Sequence, residues 1–591
     1  MDHGDRNLGF LKRHLTTALL TFGSAALIWA AFPPLDCGFL AWVALTPWLV
    51  MAGRSASRRA WLWSLLAGYA LFIALLQWIR FVGPEGWVTL ALYCALYWPA
   101  ATWLLRRLKR RGLPFALTAP VTFAAFEFIR CNFLTGFSFY LLAHTQYRYL
   151  PIVQVADITG VYGVTFLIAL VNGCLADILI ECEARMADGG VGLARRSPER
   201  SRMGEGGNAE SRTSRRRRIM ISCAVAVALV AAALGYGWSR MRALRPEPGP
   251  KVELVQGNVP QDLKDTPSLA DQIEYLRRHV ELSRAAIGQH VALVIWPETI
   301  FPPPMNVAYD EEFIARLAAQ PEEDKREYAG FLTQCRKELI GAARAVDAYM
   351  LVGSTAMTFH EPLRRCNSAY FITPQGRIAG RYDKIHLVIF GEYTPLTDVL
   401  PFLSFFRPEV MGPDLTPGKL RQLFDLPVQA PSTTAQGGPS TTAQGREMKF
   451  GVTICYEDSV ADLFSKFVAD GAEFMVNITN DGWFRNSTEL DEHLAACTFR
   501  AVENRVPIAR CANTGISALI APDGRITERI VLPDGRYREV AGTLIGNLSM
   551  TKLKSFYTAH GDLFAWACMA ALAGLILAAV FRKEETMDDG R

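Results

Sequence analysis

The sequence has little net charge and no ordered cysteine pattern. Charged residues make up only 20% of its 591 positions, and a net charge of +5 is too small to indicate a nucleic-acid-binding protein. The 12 cysteines include no CxxC pair and show no regular spacing. Apolar residues, in contrast, reach 50%, a proportion that ordinary soluble enzymes rarely show. The length allows several domains.

The cysteines separate into two groups. Seven lie in or beside apolar segments, and the other five are Cys335, Cys366, Cys455, Cys497 and Cys511. An odd number within one domain leaves at least one thiol unpaired. That thiol is compatible both with a catalytic role and with an ordinary buried cysteine.

Eight apolar stretches are long enough to cross a bilayer, which takes roughly 20 residues for each helix. They lie near 15–32, 36–53, 60–80, 84–105, 113–131, 160–181, 219–238 and 561–581. No convincing cleavage site follows the first stretch, which indicates an uncleaved span instead of a signal peptide.

Blocks of Lys and Arg predict the orientation of these spans, because such residues near helix ends resist translocation. The blocks lie at the N-terminus, after the second, fourth and sixth spans, and at the C-terminus, always on the same side of an eight-span chain. The pattern predicts a membrane domain at 1–238 with seven transmembrane helices, an extracytoplasmic domain at 239–560, and a final span with a cytoplasmic tail at 561–591.

The 239–560 segment has an α/β pattern. Short apolar runs predict strands at 252–256, 291–296, 349–352, 369–373, 449–454, 473–478 and 516–520. Helical stretches alternate with them near 268–287, 328–346, 459–470 and 488–504. A tandem polar repeat at 431–446 has nothing to bury and is predicted to be a surface loop.

Three reactive residues lie at or just after predicted strands, where α/β folds commonly expose functional groups. They are Glu298, Lys384 and Cys455. A thiol needs a base to become a good nucleophile, and a buried glutamate can accept its proton. Attack on a carbonyl creates an oxyanion, which a lysine and a backbone N–H can stabilise. Taken singly, each residue more often has a structural or solvated role.

The motifs around these residues occur in a fixed order. They are Trp-Pro-Glu-Thr (296–299), Asp-Lys-Ile-His-Leu-Val-Ile-Phe-Gly-Glu-Tyr-Thr-Pro (383–395), Ile-Cys-Tyr-Glu-Asp (454–458) and Asn-Ile-Thr-Asn-Asp-Gly-Trp-Phe (477–484). This series resembles the nitrilase superfamily, which has an αββα sandwich and a Glu-Lys-Cys triad. With membrane spans on both sides, nearly the whole chain resembles the apolipoprotein N-acyltransferase family.

The resemblance implies roles for particular residues. Glu298 would be the general base, Lys384 the oxyanion stabiliser and Cys455 the nucleophile. Supporting or substrate-binding roles would fall to Glu392, Tyr456, Glu457, Asn480 and Trp483.

Alternatives and departures accompany that assignment. Glu457 could equally be a structural carboxylate, Trp483 an ordinary packing aromatic and His493 a structural histidine that needs no metal. Asp265 replaces a tryptophan that is usual in the family, and the 431–446 repeat has no counterpart there.

The implied reaction moves a fatty acyl chain from a membrane phospholipid to Cys455 and then to the N-terminal amine of a diacylated apolipoprotein. No cofactor or metal would be needed, and we expect a monomer in the bacterial inner membrane with its catalytic domain in the periplasm. One alternative is a membrane-tethered amidase of the nitrilase type, in which water replaces the amine. A non-catalytic scaffold is another, although the intact Glu298, Lys384 and Cys455 argue against it.

Overall fold

The computed structural model describes residues 2–54, 59–191, 205–265, 267–358, 363–395, 397, 399, 401, 405, 413–428 and 446–581. The chain forms two compact units. The first contains Met1–Gln77, Trp87–Arg242 and Asp562–Arg591, and the second contains Trp78–Gly86 and Ala243–Gly561.

The first unit is helical. Its helices are α1 (Asp2–Ala31), α2 (Ala41–Ala44), α3 (Thr46–Arg54), α4 (Ala60–Leu75), α5 (Pro84–Ala95), α6 (Tyr97–Arg110), α7 (Phe115–Asn132), α8 (Leu150–Val153), α9 (Ala156–Thr159), α10 (Val161–Val191) and α11 (Glu205–Ala243). The second unit adds α12 (Gln261–Asp265), α13 (Leu269–Leu282), α14 (Met305–Ala308), α15 (Glu311–Ala318), α16 (Glu323–Val346), α17 (Ala461–Ala469), α18 (Glu489–Asn504) and α19 (Phe556–His560). The last helix, α20 (Leu563–Phe581), returns to the first unit.

Five helical stretches among the described residues are long and apolar enough to cross a membrane. They are His14–Ala31, Pro84–Arg110, Val161–Met186, Ser214–Ala243 and Leu563–Phe581, and each overlaps one predicted span. The predicted spans 36–53, 60–80 and 113–131 also fall on helices, but Gly38–Arg54 and Ala60–Leu75 are shorter apolar stretches. Several long apolar helices, consistent with a membrane protein, are thus confirmed, whereas the count of eight spans stays a prediction.

Twelve strands in the described part of the second unit form two mixed sheets. The strands are β1 (Glu247–Gln256), β2 (Leu293–Ile295), β3 (Tyr349–Thr358), β4 (Arg364–Ile372), β5 (Ile378–Asp383), β6 (Leu423–Val428), β7 (Arg446–Ile454), β8 (Phe474–Thr479), β9 (Ile508–Ala512), β10 (Ala518–Ile520), β11 (Ile526–Arg529) and β12 (Gly542–Met550). One sheet has the order β12-β1-β2-β3-β4-β5 and the other β11-β10-β9-β8-β7-β6.

Alternating side chains explain why these sheets pack as a sandwich. Along β2, Leu293 and Ile295 face a core shared with the second sheet, whereas Val294 faces a core shared with helices α13 to α16. Phe464 of α17 and Leu494 of α18 pack against the second sheet. The order helix, sheet, sheet, helix is the predicted αββα arrangement.

The strand and helix predictions for this unit are largely confirmed. All seven predicted strands and all four predicted helices overlap observed elements, but five strands were not predicted: β5, β6, β9, β11 and β12. The predicted loop nature of the repeat stays a prediction, because residues 429–445 lie outside the described residues.

Candidate active site

The site is built where strands of both sheets end. Strands β2 and β3 run parallel, and β5 has the same direction because β4 is antiparallel to both of its neighbours. In the other sheet β7 and β8 are parallel. Glu298 follows β2, Lys384 follows β5, Cys455 follows β7 and Asn480 follows β8. Four of the predicted site residues therefore directly follow strands, which hold them rigidly.

Glu298 is buried and hydrogen bonded through both carboxylate oxygens. Its Oε1 accepts from Nδ2 of Asn367 at 2.7 Å, and its Oε2 accepts from the backbone N–H of Asn480 at 2.8 Å. Burial raises the pKa of Glu298, while the Lys384 ammonium opposes that rise. A raised pKa suits a carboxylate that accepts a proton and later returns it.

Lys384 is almost fully buried between two carboxylates. Its Nζ lies 2.8 Å from Oε1 of Glu392 and 3.9 Å from Oε1 of Glu298. Burial alone would lower the pKa of Lys384, but the charges of Glu392, Cys455 and Glu298 outweigh it and raise the pKa above its ordinary value. The lysine is therefore a permanent cation.

Glu392 belongs to the same ion pair. Besides Lys384, its carboxylate accepts from the backbone N–H of Val388 at 2.9 Å and from Asn367 at 3.3 Å. The predicted supporting residue thus lies within hydrogen-bond distance of the lysine.

Cys455 begins the 3-10 helix Cys455–Ser459 directly after β7. Its φ of +54° places a non-glycine residue in the left-handed region, a strained conformation that often marks functional sites. Burial raises the pKa of the thiol well above its ordinary value, the charge of Glu298 raises it further, and the charge of Lys384 lowers it. The thiol is therefore protonated until a base removes its proton.

Glu457 ties the cysteine segment to the lysine segment. Its carboxylate accepts from the backbone N–H groups of Ile385, His386 and Ile454, at 2.7 to 2.9 Å, and from the hydroxyl of Tyr382. Burial raises its pKa to about 7. Every one of these contacts is with the protein's own framework, so the structural alternative describes Glu457 well.

The remaining predicted residues surround the triad. Asn480 is buried, its Nδ2 donates to Gln261 and its Oδ1 accepts from Asn513, both at 2.9 Å. Tyr456 is half-buried, and its ring centroid lies 5.9 Å from that of His386. Trp483 is also half-buried. The side chain of Asp265 lies outside the described side chains, so its effect is not established.

A buried charge network lies behind the site. His493 contacts Asp458 and Asp481, and Arg510 contacts the other oxygen of each carboxylate at 2.9 Å. Although burial and Arg510 lower the pKa of His493, the two aspartates raise it to about 10. Asp481, Glu489 and His493 have donor atoms within 4.8 Å of one another. Asp458, Asp481, His493 and Arg510 pair with one another, so the cluster forms a buried ion network.

Sequence reasoning missed several residues that hold the triad. Asn367 bridges Glu298 and Glu392, Tyr382 supports Glu457, and Arg510 balances the buried aspartates. Each has its side chain at a buried position of a strand. An unexplained polar residue in a buried strand was the available signal.

Two family models and several curated relatives match this chain. Residues 24–174 match the family model for the apolipoprotein N-acyltransferase N-terminal domain. Residues 251–550 match the family model for carbon-nitrogen hydrolase. The apolipoprotein N-acyltransferase of Geobacter metallireducens is 32% identical over 96% of this chain and 95% of its own length. That of Bradyrhizobium diazoefficiens is 29% identical over 82% of this chain and 76% of its own. Nit3 of Saccharomyces cerevisiae, a solved nitrilase-superfamily structure, is 18% identical with a TM-score of 0.33 over 51% of this chain and 91% of that chain.

The nitrilase-like domain expected from the motifs is thereby confirmed. Since the match to the Geobacter protein extends over nearly the full length of both chains, this chain belongs to the apolipoprotein N-acyltransferase family.

Proposed function

We propose that this protein transfers a fatty acyl chain from a membrane phospholipid, through a thioester at Cys455, to the N-terminal amine of diacylglyceryl-cysteine in apolipoproteins. The observation that carries the proposal is the convergence of Glu298, Lys384 and Cys455 at one edge of the sandwich. The type of acceptor follows from family membership. The chemistry of the two half-reactions follows from the site.

In the first half-reaction Glu298 accepts the proton of the Cys455 thiol, and Sγ attacks the ester carbonyl of the phospholipid. The buried Lys384 ammonium stabilises the oxyanion, a charge that water would otherwise screen. The bond between the carbonyl carbon and the glycerol oxygen then breaks. Glu298 returns its proton to that oxygen, so a lysophospholipid leaves and a thioester remains on Cys455.

In the second half-reaction the amine of the diacylated acceptor attacks the thioester. Glu298 accepts a proton from the amine, the carbon–sulfur bond breaks, and the thiolate of Cys455 recovers the proton. The product is an amide. Glu392 neutralises Lys384 in the resting site, and Asn367 and the Asn480 N–H hold Glu298 in place.

An amide hydrolase would use the same triad with water in place of the amine. The match of residues 24–174 to the apolipoprotein N-acyltransferase N-terminal domain argues against that alternative, because a hydrolase of small amides has no need of this domain.

The basic blocks of the sequence support a membrane topology that suits this reaction. We propose eight spans in the bacterial inner membrane, residues 239–560 in the periplasm, and a monomeric enzyme. Reporter fusions after Arg110 and Arg200 should be cytoplasmic, and fusions near Pro250 periplasmic. A periplasmic result at Arg200 would contradict the count of eight.

Mass spectrometry of lipoprotein N-termini tests the function. A strain depleted of this protein should accumulate diacylated lipoproteins, and expression of the full chain should restore the third acyl chain. Cys455→Ala should fail to restore it, whereas Cys366→Ala, which changes a half-buried cysteine of β4, should restore it fully. Triacylated lipoproteins produced by Cys455→Ala would disprove the proposed nucleophile.

A further inference from the structure

The helical unit contains a cavity with mostly apolar walls. Helices α1, α3, α4, α6 and α7 all contribute to it. Its volume, counted as space open to the centre of a water molecule, is about 90 Å³. One water needs about 10–15 Å³ on that scale, so the cavity is several waters in size. It can hold part of one fatty chain but not a whole two-chain lipid.

Arg130 is the charged group of interest on the cavity wall. It is 4% exposed, and its guanidinium lies over the rings of Phe72 and Phe137, at 5.6 and 5.8 Å from their centroids. Nη2 donates to the backbone oxygen of Tyr140 at 2.9 Å. Nη1 is buried and has no oxygen or nitrogen acceptor among the described residues. The guanidinium also forms a side-chain hydrogen bond with the Cys94 thiol, which is a weak acceptor.

The carboxylate of Glu127 does not accept a hydrogen bond from Nη1 of Arg130. A separation of three residues on α7 would allow Glu127 to pair with Arg130. Oε1 of Glu127 accepts from the backbone N–H of Leu142 at 2.7 Å, and Oε2 accepts from the Thr165 hydroxyl at 2.6 Å. The buried Nη1 of Arg130 thus lacks a strong acceptor, an arrangement that costs free energy unless a ligand supplies one.

The far end of the cavity is apolar because its polar groups are bonded elsewhere. Nε1 of Trp48 donates to the Thr102 hydroxyl at 2.9 Å, and the Thr122 hydroxyl donates to the backbone oxygen of Thr118 at 2.7 Å. Thr122 precedes Arg130 by two turns of α7, about 12 Å along the axis at ~1.5 Å per residue. The cavity therefore has one end with a cation whose Nη1 lacks a strong acceptor and a second end that favours hydrocarbon.

We propose that this cavity binds a single acyl chain whose carboxyl oxygen, free or esterified, accepts a hydrogen bond from Nη1 of Arg130. A carboxyl oxygen supplies the missing acceptor, and the hydrocarbon tail fills the end near Trp48 and Ala101. This inference concerns a site within the helical unit and does not depend on the proposed transfer reaction.

Photocrosslinking with the full chain tests the site, in a Cys455→Ala background so that no label enters as a thioester. Three diazirine probes share one chain length: a free fatty acid, a lysophospholipid and a fatty alcohol. The acid or the lysophospholipid should label peptides of α6 and α7 about tenfold more than the alcohol, because only these two offer a carboxyl oxygen to the cation. Stronger labelling by the acid would indicate a free fatty acid as the ligand, and stronger labelling by the lysophospholipid would indicate an esterified chain.

Two substitutions and a matched control complete the experiment. Ala101→Leu fills the apolar end without touching Arg130 and should reduce labelling about tenfold, as expected when a small cavity is overfilled. Ala100→Leu, at the exposed neighbouring position on α6, should leave labelling unchanged. Arg130→Gln should remove the preference for the acid over the alcohol. Equal labelling by the alcohol, or full labelling of Ala101→Leu, would overturn the proposal.

Discussion

Nδ2 of Asn367 lies 2.7 Å from Oε1 of Glu298, and the same amide reaches Oε1 of Glu392 at 3.3 Å. The side-chain amide of Asn367, in the middle of β4, thus donates to two carboxylates that flank Lys384. A hydrogen bond to a carboxylate favours its charged form and lowers its pKa. Burial raises the pKa of Glu298, and the hydrogen bond from Asn367 lowers it. Asn367 therefore helps to keep Glu298 in the charged form that can accept a proton.

Asn367→Ala should lower kcat/KM at neutral pH by about 10- to 100-fold, because a hydrogen bond to a charged group is lost. The pKa of Glu298 should rise further, so the acidic limb of the pH profile of kcat/KM should move to higher pH. Asn547→Ala, at an exposed position of β12, should change neither quantity. A reduced rate with an unmoved acidic limb would show that Asn367 acts only on the fold.

Four of the five strands that the sequence did not predict, β5, β6, β11 and β12, are the edge strands of the two sheets. The fifth, β9, is buried at every position, but Arg510 interrupts its short apolar run. Strand β7 ends in the apolar run that predicts it, whereas β5 has exposed or half-exposed side chains along most of its length. Strand β11 is similar. A hydrophobic pattern in the sequence reveals buried strands. Strands at the edge of a sheet have fewer buried side chains, so their pattern is weaker.

The sequence allowed the proposed triad to be selected because each member follows a strand within a longer motif. Its supports could not be selected, because Asn367, Tyr382 and Arg510 become partners only when distant strands meet. The distinction between a substrate contact and a framework contact also requires three dimensions. Glu457 lies beside the cysteine in sequence, yet its carboxylate bonds to the backbone of the lysine segment.

Glu457→Ala should destabilise the enzyme as well as inactivate it. One buried and two part-buried backbone N–H groups would lose their acceptor, and each fully buried unsatisfied group costs about 1–3 kcal/mol. We expect a fall of several degrees in Tm, measured in detergent by intrinsic fluorescence, together with loss of acyl transfer. Glu447→Ala, at an exposed position of the adjoining strand β7, should leave both unchanged. Loss of activity at an unchanged Tm would assign Glu457 to the chemistry instead.

The proposed thioester should be detectable before any lipoprotein is added. Protein purified from membranes should carry the extra mass of a fatty acyl chain, which hydroxylamine should remove because it cleaves thioesters. Cys455→Ala should abolish the adduct. Glu298→Gln should suppress it, since the protonated thiol would lose its base while the side chain keeps nearly the same size.

Two controls accompany the mass measurement. Cys511→Ser changes a buried cysteine of β9 and should retain the adduct if the variant folds, which Tm would report. Cys366→Ala should retain it at full occupancy. An adduct that persists in Cys455→Ala, or that maps to Cys497 or Cys511, would show that the nucleophile has been assigned wrongly.

The last prediction concerns Glu253, a carboxylate of β1 inside the sandwich. Both of its oxygens are buried and lack a hydrogen-bond partner among the described residues, and burial raises its pKa from 4.5 to about 8. Between pH 4.5 and about pH 8, Glu253 is protonated in the folded protein and ionised in the unfolded chain. The free energy of unfolding must therefore fall as pH rises from 4.5 to 8, by about 2–5 kcal/mol at ~1.4 kcal/mol for each pKa unit.

Glu253→Met replaces the carboxyl group with an apolar one of similar length, so this component of the pH dependence should disappear. The variant should have a higher Tm than the wild type at pH 8, and the difference should shrink towards pH 5, where the buried carboxyl is already neutral. Glu528→Gln, at an exposed position of β11, provides the control and should follow the wild-type curve. If Glu253→Met lowers Tm equally at both pH values, the carboxyl group has a partner that stabilises it, and the predicted dependence on its ionisation is wrong.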